Sequence, residues 1–99
     1  MTVAIVGDIG GTHARFAVWR ENGLEQIEVL ATADYSSPES ALAAYLERAG
    51  LSLGAGSAVC LACAGPVSDG DFQFTNNHWR INRDAFCRAL QIERLLPVS

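Results

Sequence analysis

The sequence contains no lysine, and its seven basic residues, all arginine, are scattered along the chain. Eleven acidic residues bring the net charge to −4. The absence of a basic run argues against a nucleic-acid groove or an anionic membrane patch. No stretch approaches the roughly 18 apolar residues of a membrane-spanning helix, and the amino terminus lacks the basic segment of a secretion signal. A cytoplasmic protein that binds neither nucleic acid nor membrane is therefore expected.

Cysteine is scarce as well, with three residues, Cys60, Cys63 and Cys87. An odd number of cysteines in a reducing compartment indicates free thiols. Cys60 and Cys63 form a C-x-x-C spacing, which would suit a redox pair at a helix terminus or half of a zinc site. Both lie in the apolar run 58–64, however, which is typical of a strand, so they should point to opposite faces. Buried packing residues are favoured over redox or metal chemistry.

Apolar residues make up 49% of the 99 residues, which is typical of a folded domain or part of one. Ala14, Phe16 and Val18 recur at every second position, the period of a strand, and Asn22-Gly23 is a strong hairpin turn signal. A third strand follows, with its apolar side chains on one face: Ile27, Val29 and Ala31. In all, we predict strands at about 3–6, 14–19, 24–32, 58–64 and 95–99, and a small hairpin turning at Asp69-Gly70 with Phe72 and Phe74 on its second arm.

Two helices interrupt the strands. The first is predicted at Ser37–Ala49, with Ser36 as its cap, Pro38 in the first turn, Glu39 at the capping-box spacing and Gly50 as its stop. The second is predicted at Arg83–Leu90, capped by Asn82, with Ile81 and Phe86 at the spacing of a hydrophobic staple.

The order β-β-β-α-β-(hairpin)-α-β predicts a mixed α/β sheet that begins with an antiparallel meander of three strands. Helix–strand alternation after the meander places strand 58–64 parallel to the first strand. Its unbroken apolarity predicts burial on both faces.

Candidate chemistry is concentrated in Asp8-Ile9-Gly10-Gly11-Thr12, between the first two strands. Adjacent glycines leave backbone N–H groups bare for phosphate oxygens, and Thr12 adds a hydroxyl. Asp8 can hold Mg²⁺ through its water shell, because Mg²⁺ keeps most of its waters. A P-loop is excluded because it requires a lysine, and the dinucleotide fingerprint because a strand rather than a helix follows Thr12. A plain turn, with Asp8 satisfying turn amides, is the alternative.

Two segments resemble one family. Residues 6–17, VGDIGGTHARFA, are very similar to the first phosphate segment of the actin-like ATPase superfamily, and in particular of bacterial glucokinases. Residues 62–79, ACAGPVSDGDFQFTNNHW, resemble that family's A-x-A-G-P-V stretch, hairpin and T-N-x-x-W stretch, in the same order. The first motif is shared by many ATPases, whereas both together are specific and cover nearly the whole chain. His13 departs from the family, which usually has asparagine there.

The resemblance implies a ribonuclease H-like, actin-like ATPase fold. Residues 1–99 would be the amino-terminal part of the nucleotide- and sugar-binding domain of a two-domain kinase, incomplete at its carboxyl end. It also implies ATP-dependent phosphorylation of glucose at its 6-hydroxyl, the first step of glycolysis, and a homodimer for the complete enzyme. By the resemblance, ATP and Mg²⁺ would bind Gly7, Asp8, Ile9, Gly10, Gly11 and Thr12, and glucose would lie near Gly65, Pro66 and Asn76.

No catalytic residue is assigned. Phosphoryl transfer to a hydroxyl requires a carboxylate that accepts its proton, and the other acidic residues lie by pattern in turns or on solvated faces. The family's catalytic aspartate would follow the strand 95–99, so the chain alone is expected to be inactive. The alternative is a non-catalytic sugar-sensing regulator or an actin-like scaffold. With the phosphate segment starting near residue 7, no room for a preceding DNA-binding motif is expected, and the 65–79 match favours a sugar kinase over a scaffold.

Overall fold

The structure is a computed structural model that describes residues 4–21, 23–54, 56–63, 71–73 and 78–98. Within these ranges a short 3₁₀ helix, Thr32–Asp34, joins the third strand to the first α-helix. The elements in chain order are β1 Ala4–Ile9, β2 His13–Arg20, β3 Gly23–Ala31, α1 Pro38–Ala49, β4 Ala58–Cys63, β5 Asp71–Gln73, β6 Arg80–Asn82, α2 Arg83–Leu90 and β7 Arg94–Val98. None of the helices in the described ranges is long and apolar enough to cross a bilayer.

Five of the strands form one mixed sheet in the order β3-β2-β1-β4-β7. β1, β2 and β3 pair antiparallel as a meander, whereas β4 runs parallel to β1 and β7 parallel to β4. The predicted meander, the parallel fourth strand and the final strand are confirmed. The element after Thr12 is a strand, as the exclusion of a dinucleotide fold requires.

One face of this sheet packs against α1 and α2, and the core lies between them. The Phe16 and Tyr45 rings, from β2 and α1, lie with centroids 5.6 Å apart. The Tyr45 hydroxyl donates to the Gln26 carbonyl at 2.8 Å. Gly7 sits in the middle of this face, where a Cβ would come within 2.7 Å of Leu61 Cδ2 and 2.9 Å of Phe16 Cδ1. A side chain at position 7 would therefore force the packed Leu61 and Phe16 side chains to shift.

The opposite face of the sheet, here called the open face, is not covered by any described element. Trp19 is 59% exposed on it and Ile27 58%, and Leu24 and Val29 are about half exposed. The apolar face predicted for β3 is therefore this open face, and the buried residue of β3 is Leu30. Burial of β4 on both faces is likewise wrong, because Ala62 is exposed there. Apolar composition does not reveal that a sheet is covered on one side only.

The start of α1 differs from the prediction by one residue. Ser37, not Ser36, is the N-cap, and its partner in the capping box is Ser40 rather than Glu39. The Ser37 hydroxyl accepts from Ser40 N at 3.1 Å, and Ser40 Oγ accepts from Ser37 N at 3.2 Å. Pro38 decides the position: it suits the first helical residue, and it keeps the preceding residue extended.

Other boundaries agree more closely. α1 ends at Gly50, whose φ of 70° is left-handed. Asn82 caps α2 by accepting from Ala85 N at 2.9 Å, and both members of the predicted staple, Ile81 and Phe86, are buried. β6 was not predicted; it pairs antiparallel with β5.

Two predicted turns lie partly or wholly outside the described residues. Asp69-Gly70 lies outside them, as does Phe74 of the predicted second arm. Asn22 also lies outside, while Gly23 has a positive φ of 114° and pairs with Arg20 at the start of β3.

Candidate functional site

The turn between β1 and β2 holds the candidate phosphate site. The two strands pair up to Ile9 and Ala14, and Gly10 N donates to the His13 carbonyl at 2.9 Å. The Gly10 N–H therefore closes the turn, which corrects the expectation that both glycines leave bare N–H groups. The remaining backbone donors of the turn belong to Gly11 and Thr12.

The N–H groups of Gly11 and Thr12 have no acceptor within the described part of the chain. The Thr12 hydroxyl lies 2.9 Å from His13 Nδ1, so His13 orients this hydroxyl. Two backbone donors and a hydroxyl on one short turn suit the oxygens of a phosphate. His13, the departure from the family pattern, thus contacts the site through Thr12.

Asp8 lies at the carboxyl end of β1 and faces Arg15 across the β1–β2 pair. Both side chains are exposed on the open face. Among the described residues neither has an ion-pair partner. The Asp8 carboxylate and the Arg15 guanidinium are therefore free to bind a ligand beside the turn. A carboxylate suits a hydrated cation, and a guanidinium suits a phosphate oxygen.

Two shallow pockets adjoin this pair. The smaller, of about 130 Å³, is lined by Asp8, Gly10, His13, Arg15 and Val29. The larger, of about 260 Å³, shares Asp8 and Arg15 and continues over apolar residues of the open face toward Leu24 and Ile27. Polar groups thus meet apolar surface at the turn, as in most small-molecule sites.

The other predicted site residues divide into two groups. The Ile9 side chain is buried in the core, and Gly7 faces the core between Leu61 and Phe16. Of the six predicted residues, three lie in β1, and Gly7 and Ile9 are the two of these that face the core rather than the open face. Gly65, Pro66 and Asn76, predicted near glucose, lie outside the described residues. No group of three or more histidine, cysteine or acidic side chains that could hold a metal occurs in the part of the chain that the structure describes.

Thr32, which the sequence did not indicate as a site residue, supports the turn with two hydrogen bonds from the core side. Thr32, 3% exposed, donates from its N to the Thr12 carbonyl at 2.9 Å. Its Oγ1 donates to the Gly11 carbonyl at 3.2 Å. No sequence signal pointed to Thr32, because it lies twenty residues beyond the turn, in the short 3₁₀ helix that follows β3.

The sheet separates the two cysteines of the C-x-x-C spacing, and Cys60 is only partly buried. Both cysteines are free, and they lie on opposite faces of β4, as predicted; Cys63 is in the core. Burial first, and then the nearby Cys60 and Asp8, raise the pKa of Cys63 to about 11. A buried thiol with a raised pKa is a packing residue rather than a nucleophile.

Alkylation with iodoacetamide at mildly basic pH is expected to label Cys60 well before Cys63. At about pH 8, a pKa near 11 leaves roughly one Cys63 in a thousand as thiolate, and the thiolate is the reactive form. Mass spectrometry of timed samples measures the two rates, and the urea-unfolded chain, in which they should converge, is the control. Equal labelling in the folded chain would contradict this placement.

Comparisons with known proteins agree on one family. The glucokinase family model matches residues 5–98. The chain belongs to the glucokinase family. A glucokinase of Pseudomonas paraeruginosa is 60% identical over 97 residues, which are 98% of this chain and 29% of that protein. A glucokinase of Marinobacter nauticus is 43% identical over 84 residues, 83% of this chain and 26% of that protein.

A solved glucokinase is similar in structure as well. The crystal structure of glucokinase from an Antarctic psychrotroph matches with a TM-score of 0.74 at 29% identity. The match covers 96% of this chain and 32% of that one. The glucokinase fold is thereby confirmed for the mixed sheet described above, and the chain spans about three-tenths of the length of its glucokinase relatives.

Proposed function

We propose that this chain provides the phosphate-binding turn of an ATP-dependent glucose kinase, which transfers the terminal phosphoryl group of ATP to the 6-hydroxyl of glucose. The observation that carries the proposal is the turn itself. Its Gly11 and Thr12 N–H groups are without acceptors in the described residues, and Asp8 and Arg15 stand beside it, in a chain of the glucokinase family. That family favours a kinase over a sugar-sensing regulator or an actin-like scaffold.

Asp8 is suited to hold the Mg²⁺ ion that accompanies the phosphates of ATP in a kinase. The carboxylate is exposed and unpaired among the described residues, and a single carboxylate with water is a common Mg²⁺ arrangement. When bound, Mg²⁺ would neutralise charge on the phosphate oxygens. Gly11, Thr12 and Arg15 would hold and orient those oxygens.

The remaining assignments complete the proposal. Gly10 shapes the turn, and Gly7 and Ile9 support it from β1. Glucose would lie near Gly65, Pro66 and Asn76, as the resemblance implies. Residues 1–99 would form the amino-terminal part of the nucleotide- and sugar-binding domain, and the complete enzyme would be a homodimer. The 29% coverage of the Pseudomonas relative supports only the statement that this chain corresponds to part of a longer kinase.

Titration of the 99-residue chain with Mg-ATP tests the phosphate site. We expect binding weaker than micromolar, because two backbone donors, a hydroxyl, a carboxylate and a guanidinium supply only part of the contacts that a nucleotide needs. Amide NMR shifts should move at Gly11 and Thr12, and the Asp8→Ala variant should bind more weakly than the Glu47→Ala control on the exposed side of α1.

Two results would contradict these expectations, the first for the affinity and the second for the place where the phosphate binds. Micromolar or tighter affinity by calorimetry would show that the chain holds most of the nucleotide contacts. Shifts confined to residues away from the turn would remove the phosphate-binding role from Asp8–Thr12.

A further inference from the structure

Thr32 contacts both peptide carbonyls on the inner side of the phosphate turn. Its N donates to the Thr12 carbonyl at 2.9 Å and its Oγ1 to the Gly11 carbonyl at 3.2 Å. The side chain is almost fully buried, with 3% of the residue exposed. Thr32, the first residue after β3, therefore binds the two turn residues whose N–H groups are the candidate phosphate donors.

The planarity of the peptide group gives these bonds a directional effect. The Gly11 carbonyl and the Thr12 N–H belong to the same trans peptide unit, so they point in opposite directions. A hydroxyl that fixes the carbonyl from the inner side therefore aims the Thr12 N–H away from Thr32. Glycine at position 11 would otherwise leave this peptide plane free to rotate.

Thr32 is itself connected to the core by hydrogen bonds through Tyr35. Its carbonyl accepts from Tyr35 N at 3.3 Å. The Tyr35 carbonyl in turn accepts from His78 Nε2 at 2.9 Å and from Trp79 Nε1 at 3.0 Å. Since Trp79 is 1% exposed, this chain of hydrogen bonds ends in the core. A position set by the core is suited to orienting a site on a turn.

We propose that Thr32 is a positioning residue for phosphate binding: its hydroxyl fixes the Gly11–Thr12 peptide so that the Thr12 N–H is aimed at the phosphate. The inference rests on the proposed function for the identity of the ligand. The orientation of the peptide does not depend on it. A merely structural threonine would contribute to stability without affecting the turn's affinity.

Two variants separate these roles. Thr32→Val keeps the approximate size of the side chain and the backbone N–H but replaces the hydroxyl by a methyl group, so the Gly11 carbonyl loses its partner. Thr32→Ser keeps the hydroxyl and removes a buried methyl group, which lowers stability. Both variants are thus expected to lose some stability, whereas the orientation of the Gly11–Thr12 peptide is expected to change in Thr32→Val alone.

The experiment uses the 99-residue chain at dilute concentration with Mg-ATP as the ligand. Amide NMR is expected to show the dissociation constant raised about fivefold in Thr32→Val and within about twofold of the parent chain in Thr32→Ser. In the ligand-free chain, the order parameter of the Thr12 N–H should fall in Thr32→Val alone. Thermal unfolding of each variant provides the stability scale.

Each result decides the inference. An unchanged Thr12 order parameter in Thr32→Val, or changes that simply follow the loss of stability in both variants, would overturn it. If the parent chain shows no Mg-ATP effect at the turn, the proposed function fails. The order parameters of the ligand-free variants still decide whether Thr32 positions the peptide.

Discussion

Glucose-dependent release of ADP is expected to be undetectable when the 99-residue chain is assayed alone. Phosphoryl transfer depends on positioning and electrostatics, and the attacking hydroxyl needs a carboxylate to orient it and accept its proton. Asp8 is the one carboxylate that lines the two described pockets beside the turn, and it is the residue proposed to hold Mg²⁺. Among the residues that line these two pockets, no second carboxylate is present to act as the base.

A coupled assay with excess glucose and Mg-ATP measures this, with the Pseudomonas paraeruginosa glucokinase under the same conditions as the positive control. Turnover of the isolated chain near that of the control would show that residues 1–99 contain a base. The assignment of the acidic residues to turns and solvated faces would then be wrong.

Asp8→Ala is expected to lower kcat about a hundredfold in a chimera in which this chain replaces the matching 97 residues of the Pseudomonas paraeruginosa glucokinase. A metal bound to the phosphates acts mainly on the transition state, so its loss lowers turnover. Asp8 lies beside the proposed phosphate turn, and the KM for glucose should therefore stay within about twofold of the parent value.

Initial rates at varied glucose and varied Mg-ATP separate these effects. Glu47→Ala is the matched control, because it removes an exposed carboxylate from α1 and should leave kcat unchanged. An unchanged kcat in Asp8→Ala would take Asp8 out of the metal-holding role. Equal losses in both variants would indicate a general effect on folding.

Local sequence signals predicted the order of elements well, and the reasons are visible at particular residues. Gly50 and Asn82 act within one turn of helix, and their capping roles depend on backbone geometry that any neighbouring fold would keep. The one-residue error at Ser36 arose where two adjacent serines could both cap. Ser40, whose hydroxyl completes the capping box, is not the glutamate that the motif usually has.

Long-range features were less predictable. Whether Ile27 and Val29 face the core or the solvent depends on which side of the sheet the helices cover. The residue pattern of β3 does not indicate which side that is. Thr32 is a similar case: its hydrogen bonds to Gly11 and Thr12 cross from one end of β3 to the turn before β2. The proposed phosphate turn was predicted from its own residues, whereas the hydrogen bonds that support it come from a distant part of the chain.

The open face also allows ligand binding and unfolding to be followed by intrinsic tryptophan fluorescence. Trp19, on that face, is 59% exposed, while Trp79 is 1% exposed in the core. A water-exposed indole emits at longer wavelength than a buried one, so the fluorescence of the folded chain combines a red component and a blue component. A molecule that covers the open face should shift the Trp19 emission to shorter wavelength. Loss of the core should shift the Trp79 emission to longer wavelength.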